Sequence, residues 1–255
     1  MALELITIPC LKDNYAYLIH DAASGQTAVV DVPEPGPVMA ALATRGWTLS
    51  DILITHHHWD HIDGVAALRN ATGAAVWGAA ADAHRLPPLD HALREGDTIL
   101  IGAENGHVID VPGHTLGHIA IHFPASALVF TADSLMAGGC GRLFEGSPDQ
   151  MWASLCKLSA LPPETLICSG HEYTTSNLTF AATIEPANQA LTARIAKVAK
   201  ARAENRPTVP SRLSGELATN PFLRAGLPHI KAGIGLPDAS DAASFAEIRA
   251  RKDKF

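Results

Sequence analysis

Thr55-His56-His57-His58-Trp59-Asp60-His61-Ile62-Asp63-Gly64 constrains this chain more than any other stretch. Three histidines are consecutive, a fourth follows within three residues, and an aspartate stands among them. Such a group is hard to bury as ordinary packing, because several polar side chains would lose water together without partners. A divalent metal resolves this, since neutral imidazole and ionised carboxylate are its ligands. In an extended segment alternate side chains share a direction, so His56 and His58 can converge on one ion while His57 points away. Asp60 shares their parity, and a turn after Trp59 would aim Asp60 and His61 at a second point. The competing reading is a solvated polar loop, which weakens as the rest of the chain supplies further ligands.

Strand-like runs dominate the first two thirds. Leu3–Ile8, Tyr15–Ile19 and Ala28–Val32 read as strands, with a turn at Lys12-Asp13-Asn14. A helix over Val38–Arg45 should end at Gly46. Ile52–Ile54 is a buried strand that runs straight into the histidine cluster. Asp63 is a candidate N-cap for a helix over Val65–Asn70, stopped at Gly73. Ala75–Trp77 and Thr98–Ile101 read as strands, with a short helix over Ala79–His84 between them. The run from His107 ends in Pro112-Gly113-His114, Leu128–Thr131 ends in Ala132-Asp133, and Leu166–Ser169 ends in Gly170-His171. Four times, then, a strand stops and a histidine or aspartate follows, so several strand ends should meet at one edge, where ligands bind in layered α/β proteins. After Tyr173 the texture changes: Asn177–Ile184, Ala187–Asn205 and Ala242–Lys254 are helical, with a proline-punctuated stretch between the last two. A catalytic domain over 1–173 and a helical domain over 174–255 are expected.

Composition narrows the partners. Apolar residues make up 47% and charged residues 18%, ample for a core. A net charge of −7 argues against nucleic acid, which needs a basic surface. Cys10, Cys140, Cys156 and Cys168 are scattered, with no Cys-x-x-Cys pair, and read as reduced thiols. The N-terminus has no basic run, and no apolar run reaches membrane-spanning length. A cytoplasmic monomer without a membrane partner is the expectation.

The candidate ligands are His56, His58, Asp60, His61, His114, Asp133 and His171. Seven are too many for one tetrahedral ion. They divide into His56, His58 and His114 for one ion and Asp60, His61 and His171 for the other, with Asp133 bridging. Asp60 and Asp133 would then hold a bridging hydroxide, since two metals roughly 3.5–4 Å apart bring water's pKa toward about 7. Two divalent ions per chain are expected: zinc first, with iron or manganese also compatible. His118 reads as a hydrogen-bonding neighbour of the site, and Asp31 either supports a ligand or caps a loop.

Thr-His-His-His-Trp-Asp-His resembles the signature of the metallo-β-lactamase superfamily, and Pro-Gly-His114-Thr, Thr-Ala-Asp133 and Gly-His171-Glu-Tyr resemble its later ligand motifs. Further stretches resemble one family within it, glyoxalase II or hydroxyacylglutathione hydrolase. These are Asp13-Asn14-Tyr15, Cys140–Gly146, His171–Thr174, Thr219–Arg224, and Arg249 with Arg251-Lys252-Asp253. The resemblance runs nearly end to end. It implies an αββα sandwich with a C-terminal helical domain, and hydrolysis of S-D-lactoylglutathione to D-lactate and glutathione. It places glutathione contacts on Arg142, Phe144, Tyr173, Arg249 and Lys252, and cationic side chains suit a ligand with two carboxylates. Phe144 stands where some family members have Tyr, which removes a hydroxyl contact. Rival readings are another hydrolase of thioesters, lactones or β-lactams on this fold, a mononuclear-iron persulfide dioxygenase, a binding protein without turnover, and a nuclease.

Overall fold

The β-branched runs at the start of the chain form the strands they predict. In the computed structural model, which describes residues 2–255, β1 (Glu4–Cys10), β2 (Asn14–His20) and β3 (Thr27–Val30) lead into α1 (Pro35–Arg45) and β4 (Asp51–Leu53). There follow α2 (Trp59–Ile62), α3 (Val65–Thr72), β5 (Ala75–Ala79), β6 (His91–Leu93), β7 (Thr98–Ile101), β8 (Glu104–Asp110), β9 (Ile119–Phe123) and β10 (Leu128–Ala132). The chain divides into two units: the first runs to Asp110 and takes in Leu116–Ala132, and the second holds Val111–Thr115 and Asp133–Phe255.

In the first unit β1 to β6 form one sheet in sequence order. β1, β2 and β3 are antiparallel, and β3 to β6 are parallel. Parallel neighbours need crossovers; α1 and α3 supply the first two. β7 to β10 are neighbours in a second, antiparallel sheet. β2 is buried at every position, as a strand covered on both faces should be. Ala16 and Leu18 enter a cluster with Val38 and Leu42 of α1 and Val65 and Leu68 of α3. Tyr17 has the opposite parity and meets Phe130 of β10, ring centroids 5.6 Å apart. One face of the first sheet therefore packs on helices and the other on the second sheet.

The second unit is mainly helical. β11 (Leu135–Met136) and β12 (Gly139–Cys140) form a hairpin, followed by α4 (Pro148–Ser159), β13 (Leu166–Ser169), α5 (Thr174–Ile184), α6 (Gln189–Ala203), β14 (Ser211–Arg212), α7 (Leu213–Thr219), α8 (Pro228–Gly233) and α9 (Asp241–Lys254). Its core joins Leu178, Ala181, Leu191 and Val198. Phe222 lies between Phe180 and Phe245, at centroid distances of 6.0 and 5.8 Å. Each such side chain contributes about 1.5–3 kcal/mol by burial. Among the described residues no helix is long and apolar enough to cross a membrane.

Several boundaries differ from the sequence reading. β3 stops at Val30 because Asp31 takes a left-handed backbone, φ 56°. Asp63 does not cap α3; it closes α2, a short helix that the histidine-rich sequence did not announce, and Gly64 occupies the cap position. A Cβ at Gly64 would stand 2.6 Å from Cγ1 of Val32, so a larger residue does not fit. The helix expected over Ala79–His84 is a single tight turn at Ala80–Asp82. α4, opened by a capping box at Ser147 and Gln150, was not anticipated. The proline-punctuated stretch contains β14, α7 and α8.

Arg224, from one of the family-like stretches, has a structural task. Its guanidinium donates two hydrogen bonds to Glu185, at 2.7 and 2.8 Å, and His229 adds a third contact at 2.6 Å. Burial alone would raise the Glu185 carboxyl, but hydrogen bonds from Arg224, His229 and Asn188 outweigh it and hold the group at about 2. A depressed carboxyl contributes stability in full above its ordinary value of 4.5 and loses it as pH falls toward about 2. Glu185→Gln should therefore flatten the loss of stability between these two pH values, as measured by urea unfolding at a series of pH values.

Candidate metal centre and substrate face

The first unit carries His56, His58, Asp60 and His61 on the segment that follows β4. The chain leaves β4 at Leu53, stays extended through His58 and turns at α2. That turn is held by backbone bonds: Val32 N–H donates to His61 O at 2.8 Å, and Gly64 N–H donates to Val32 O at 2.9 Å. His56 and His61 are fully buried. Nε2 of His56 lies 3.2 Å from Nδ1 of His58.

Asp31 organises these rings. Its carboxylate accepts Thr55 N–H at 2.9 Å and the Thr55 hydroxyl at 2.8 Å, and His61 Nδ1–H donates to it at 2.8 Å. The Thr55 hydroxyl spends its one proton on Asp31, so it accepts from His56 Nδ1 at 3.0 Å. Both rings thus carry their proton on Nδ1 and present the Nε2 lone pair, the form that binds a metal. Asp31, His56 and His61 lie together as one potential ligand group. Asp60 is steadied by Asn14, whose amide donates to its carboxylate and to its backbone oxygen, both at 3.0 Å. His57 contacts the buried Asp82 at 2.9 Å, and Asp82 also pairs with Arg85. His118 is buried and stacks on His56, with centroids 4.6 Å apart.

The second unit carries His114, Asp133 and His171. The carbonyl of Arg142 lies 2.8 Å from His114 Nδ1. A carbonyl only accepts, so His114 also keeps its proton on Nδ1 and presents Nε2. Oδ2 of Asp133 stands 3.5 Å from that Nε2 and 3.3 Å from Nε2 of His171. A lone pair facing a carboxylate oxygen at this range is repulsive until a cation lies between them, so these residues fit a metal. Gly141 permits the close turn: its N–H donates to Ser134 O at 3.1 Å, and a Cβ there would sit 1.9 Å from Asp133 O.

No thiol competes as a nucleophile here. Burial raises Cys140 to about 11, against an opposing pull from Arg249, and raises Cys10 to about 11. Cys168, three residues before His171, is buried and pushed up further.

Residues 12–171 match the metallo-beta-lactamase superfamily, and residues 172–255 match the hydroxyacylglutathione hydrolase C-terminus. The hydroxyacylglutathione hydrolase of Cereibacter sphaeroides is 69% identical over 255 residues, covering 100% of both chains. The chain belongs to the hydroxyacylglutathione hydrolase family. It is thus a hydrolase of the metallo-β-lactamase fold, an αββα sandwich with a helical C-terminal region. Among solved structures, ETHE1 from Myxococcus xanthus shares 25% identity at a TM-score of 0.67, covering 98% of this chain and 90% of that one. TTHA1623 in a di-iron-bound form shares 34% identity at a TM-score of 0.55, covering 66% and 91%.

The five residues expected on the substrate lie in the second unit in distinct settings. Phe144 and Tyr173 are exposed beside ligand candidates: Phe144 meets His114 edge-on at 5.3 Å, and Tyr173 stacks on His171 at 4.7 Å. Arg142 is exposed, 3.6 Å from Asp253. Lys252 donates to the Ser176 carbonyl at 3.3 Å, and burial, then the nearby Arg249, lowers its pKa. Arg249 is only 6% exposed; it donates to Cys140 O and to Asp253, each at 3.0 Å, and lies over the Phe222 ring. Asp253 therefore holds both arginines, a role the sequence did not reveal.

Asp31→Asn would set an amide against Thr55 N–H or His61 Nδ1–H. Zinc affinity measured by chelator competition should fall about 10–100-fold while the far-ultraviolet circular dichroism spectrum stays unchanged.

Proposed function

We propose that this chain hydrolyses S-D-lactoylglutathione, an S-(2-hydroxyacyl)glutathione, to D-lactate and glutathione, the second step of methylglyoxal detoxification. The observation that carries the reading is Asp133, whose one oxygen faces Nε2 of both His114 and His171. It suits a carboxylate shared by two ions. His56, His58 and His114 would hold one, and Asp60, His61 and His171 the other. Zinc suits this donor set first, and iron or manganese also fit. When bound, such ions supply Lewis acidity to the thioester carbonyl and bring the pKa of water toward about 7.

The protein's own part is placement. Asp60, braced by Asn14, and Asp133 orient the attacking water. Asp31 and the Arg142 carbonyl keep protons off the Nε2 atoms of His61 and His114, which leaves those lone pairs for metal. Arg142, Arg249 and Lys252 would supply positive charge for the glutathione carboxylates, Arg249 from its buried place beside Cys140 and Asp253, and Phe144 and Tyr173 would offer flat apolar surface to its backbone. With Phe144 in place of a tyrosine, one hydroxyl contact is absent, which favours tolerance of other acyl groups. In this reading residues 1–173 are the catalytic domain and 174–255 the glutathione domain, working as a cytoplasmic monomer. The four free cysteines are consistent with a reducing compartment.

The test is loss of thioester absorbance by the purified, metal-quantified protein, with S-D-lactoylglutathione beside a non-glutathione thioester and a β-lactam. Fast turnover of the first alone is expected. Two ions bound with no turnover of that thioester would contradict the substrate assignment. Asp133→Ala should lose metal and activity together, read by elemental analysis and the same assay. Arg249→Ala should mainly raise KM if that contact is equal in ground and transition states; an unchanged KM would remove the C-terminal helix from the substrate face.

A further inference from the structure

We propose that Glu216 is a positioning residue for Asp133 and His114, acting through the β11–β12 hairpin. The inference rests on the metal centre proposed above. The hairpin begins two residues after Asp133 and ends two residues before Arg142, whose carbonyl fixes His114. Its ladder is two residue pairs long, Leu135 with Cys140 and Met136 with Gly139, and so short a ribbon has little stability alone. Side chains take the polar backbone groups of its turn instead. Glu216 accepts Gly138 N–H at 2.7 Å. Asn220 donates to Gly139 O at 2.9 Å and Met136 O at 3.2 Å. Asn177 donates to Ala137 O at 3.1 Å. All three are buried, Glu216 and Asn220 completely.

Glu216 stands at the centre of this clamp. The oxygen that takes Gly138 N–H also accepts from Asn220 at 3.2 Å, so it orients the residue that holds two of the carbonyls. The other oxygen accepts the Ser211 hydroxyl at 2.6 Å and pairs with Arg194, which Thr219 Oγ1 holds at 2.7 Å. An apolar residue would fill this space without the cost of desolvating a charge. The carboxylate supplies instead two oxygens at fixed points. The hairpin has little slack at its base, where Gly141 N–H donates to Ser134 O and leaves no room for a Cβ against the Asp133 carbonyl. A shift at Gly138 is therefore passed to Asp133 on one arm and to the Arg142 carbonyl on the other.

The test compares Glu216→Gln with Glu185→Gln, which weakens a buried carboxylate bonded to Arg224, His229 and Asn188 in the same unit. Glutamine at 216 keeps one acceptor and sets an amide against Arg194 or Gly138 N–H. Zinc affinity by competition with a chromogenic chelator should fall about tenfold or more, with kcat falling alongside and KM staying within about twofold. Glu185→Gln should lower the melting temperature and leave zinc affinity unchanged. Asn177→Ala, which frees only the Ala137 carbonyl, should move zinc affinity the same way by less, and stands in if Glu216→Gln does not fold. Zinc affinity of Glu216→Gln, or of that stand-in, equal to that of Glu185→Gln would overturn the proposal. Failure of the unaltered protein to take up zinc would overturn the metal centre itself, which the same titration reveals at its first step.

Discussion

One carboxylate sets the geometry of the histidine-rich segment. Asp31 ends β3 in a left-handed conformation, which aspartate tolerates better than most residues. From there it takes the Thr55 amide, the Thr55 hydroxyl and the His61 ring. Through Thr55 it also decides which nitrogen of His56 carries the proton. Two imidazoles, the extended entry to the loop and the turn at α2 therefore depend on a side chain that is 24 residues away from Thr55 and 30 from His61. Burial strengthens each of these bonds and makes the loss of any one costly.

The second unit solves the same problem with backbone. His114 receives its orientation from the Arg142 carbonyl, and that carbonyl is placed by a hairpin too short to hold itself. Three buried polar side chains from α5, α7 and the turn after α7 complete the hairpin's hydrogen bonds. Two devices, a carboxylate in one unit and a carbonyl in the other, give histidines with the same free nitrogen. Irregular chain at strand ends is suited to this work, because its unpaired backbone groups are available to take side chains.

Much of this was legible in the sequence, and the limits have physical causes. β7 falls at its expected residues, Thr98–Ile101, since a short apolar run after a turn signal leaves little choice. Helices α1 and α3 end at Gly46 and Gly73, as glycine after an apolar periodic run predicts. The seven candidate ligands follow strand ends, and that pattern is local. Asn14, Asp82, Glu216 and Asp253 are less so: Asp253 meets Arg249 and Asp82 meets Arg85 at helical spacing, but their partners Arg142 and His57, like Asp60 for Asn14 and Gly138 for Glu216, are brought near only by the fold. Asn14 and Asp253 lie inside stretches that resemble the family, but the resemblance does not say what they touch. Arg249 shows the opposite case. A cationic side chain among Arg251, Lys252 and Lys254 gives no sign of burial in the sequence, whereas its place beside Phe245 and Ile248 puts it on the buried face of α9.

The proposal with the most at stake is that Asp133 is a carboxylate shared by two bound ions. Anomalous diffraction from crystals of the metal-loaded protein, collected on both sides of the zinc edge, tests it most directly. Two anomalous peaks roughly 3.5–4 Å apart are expected, with the Asp133 carboxylate in contact with both. A single peak, or two peaks too far apart to share one carboxylate, would contradict it.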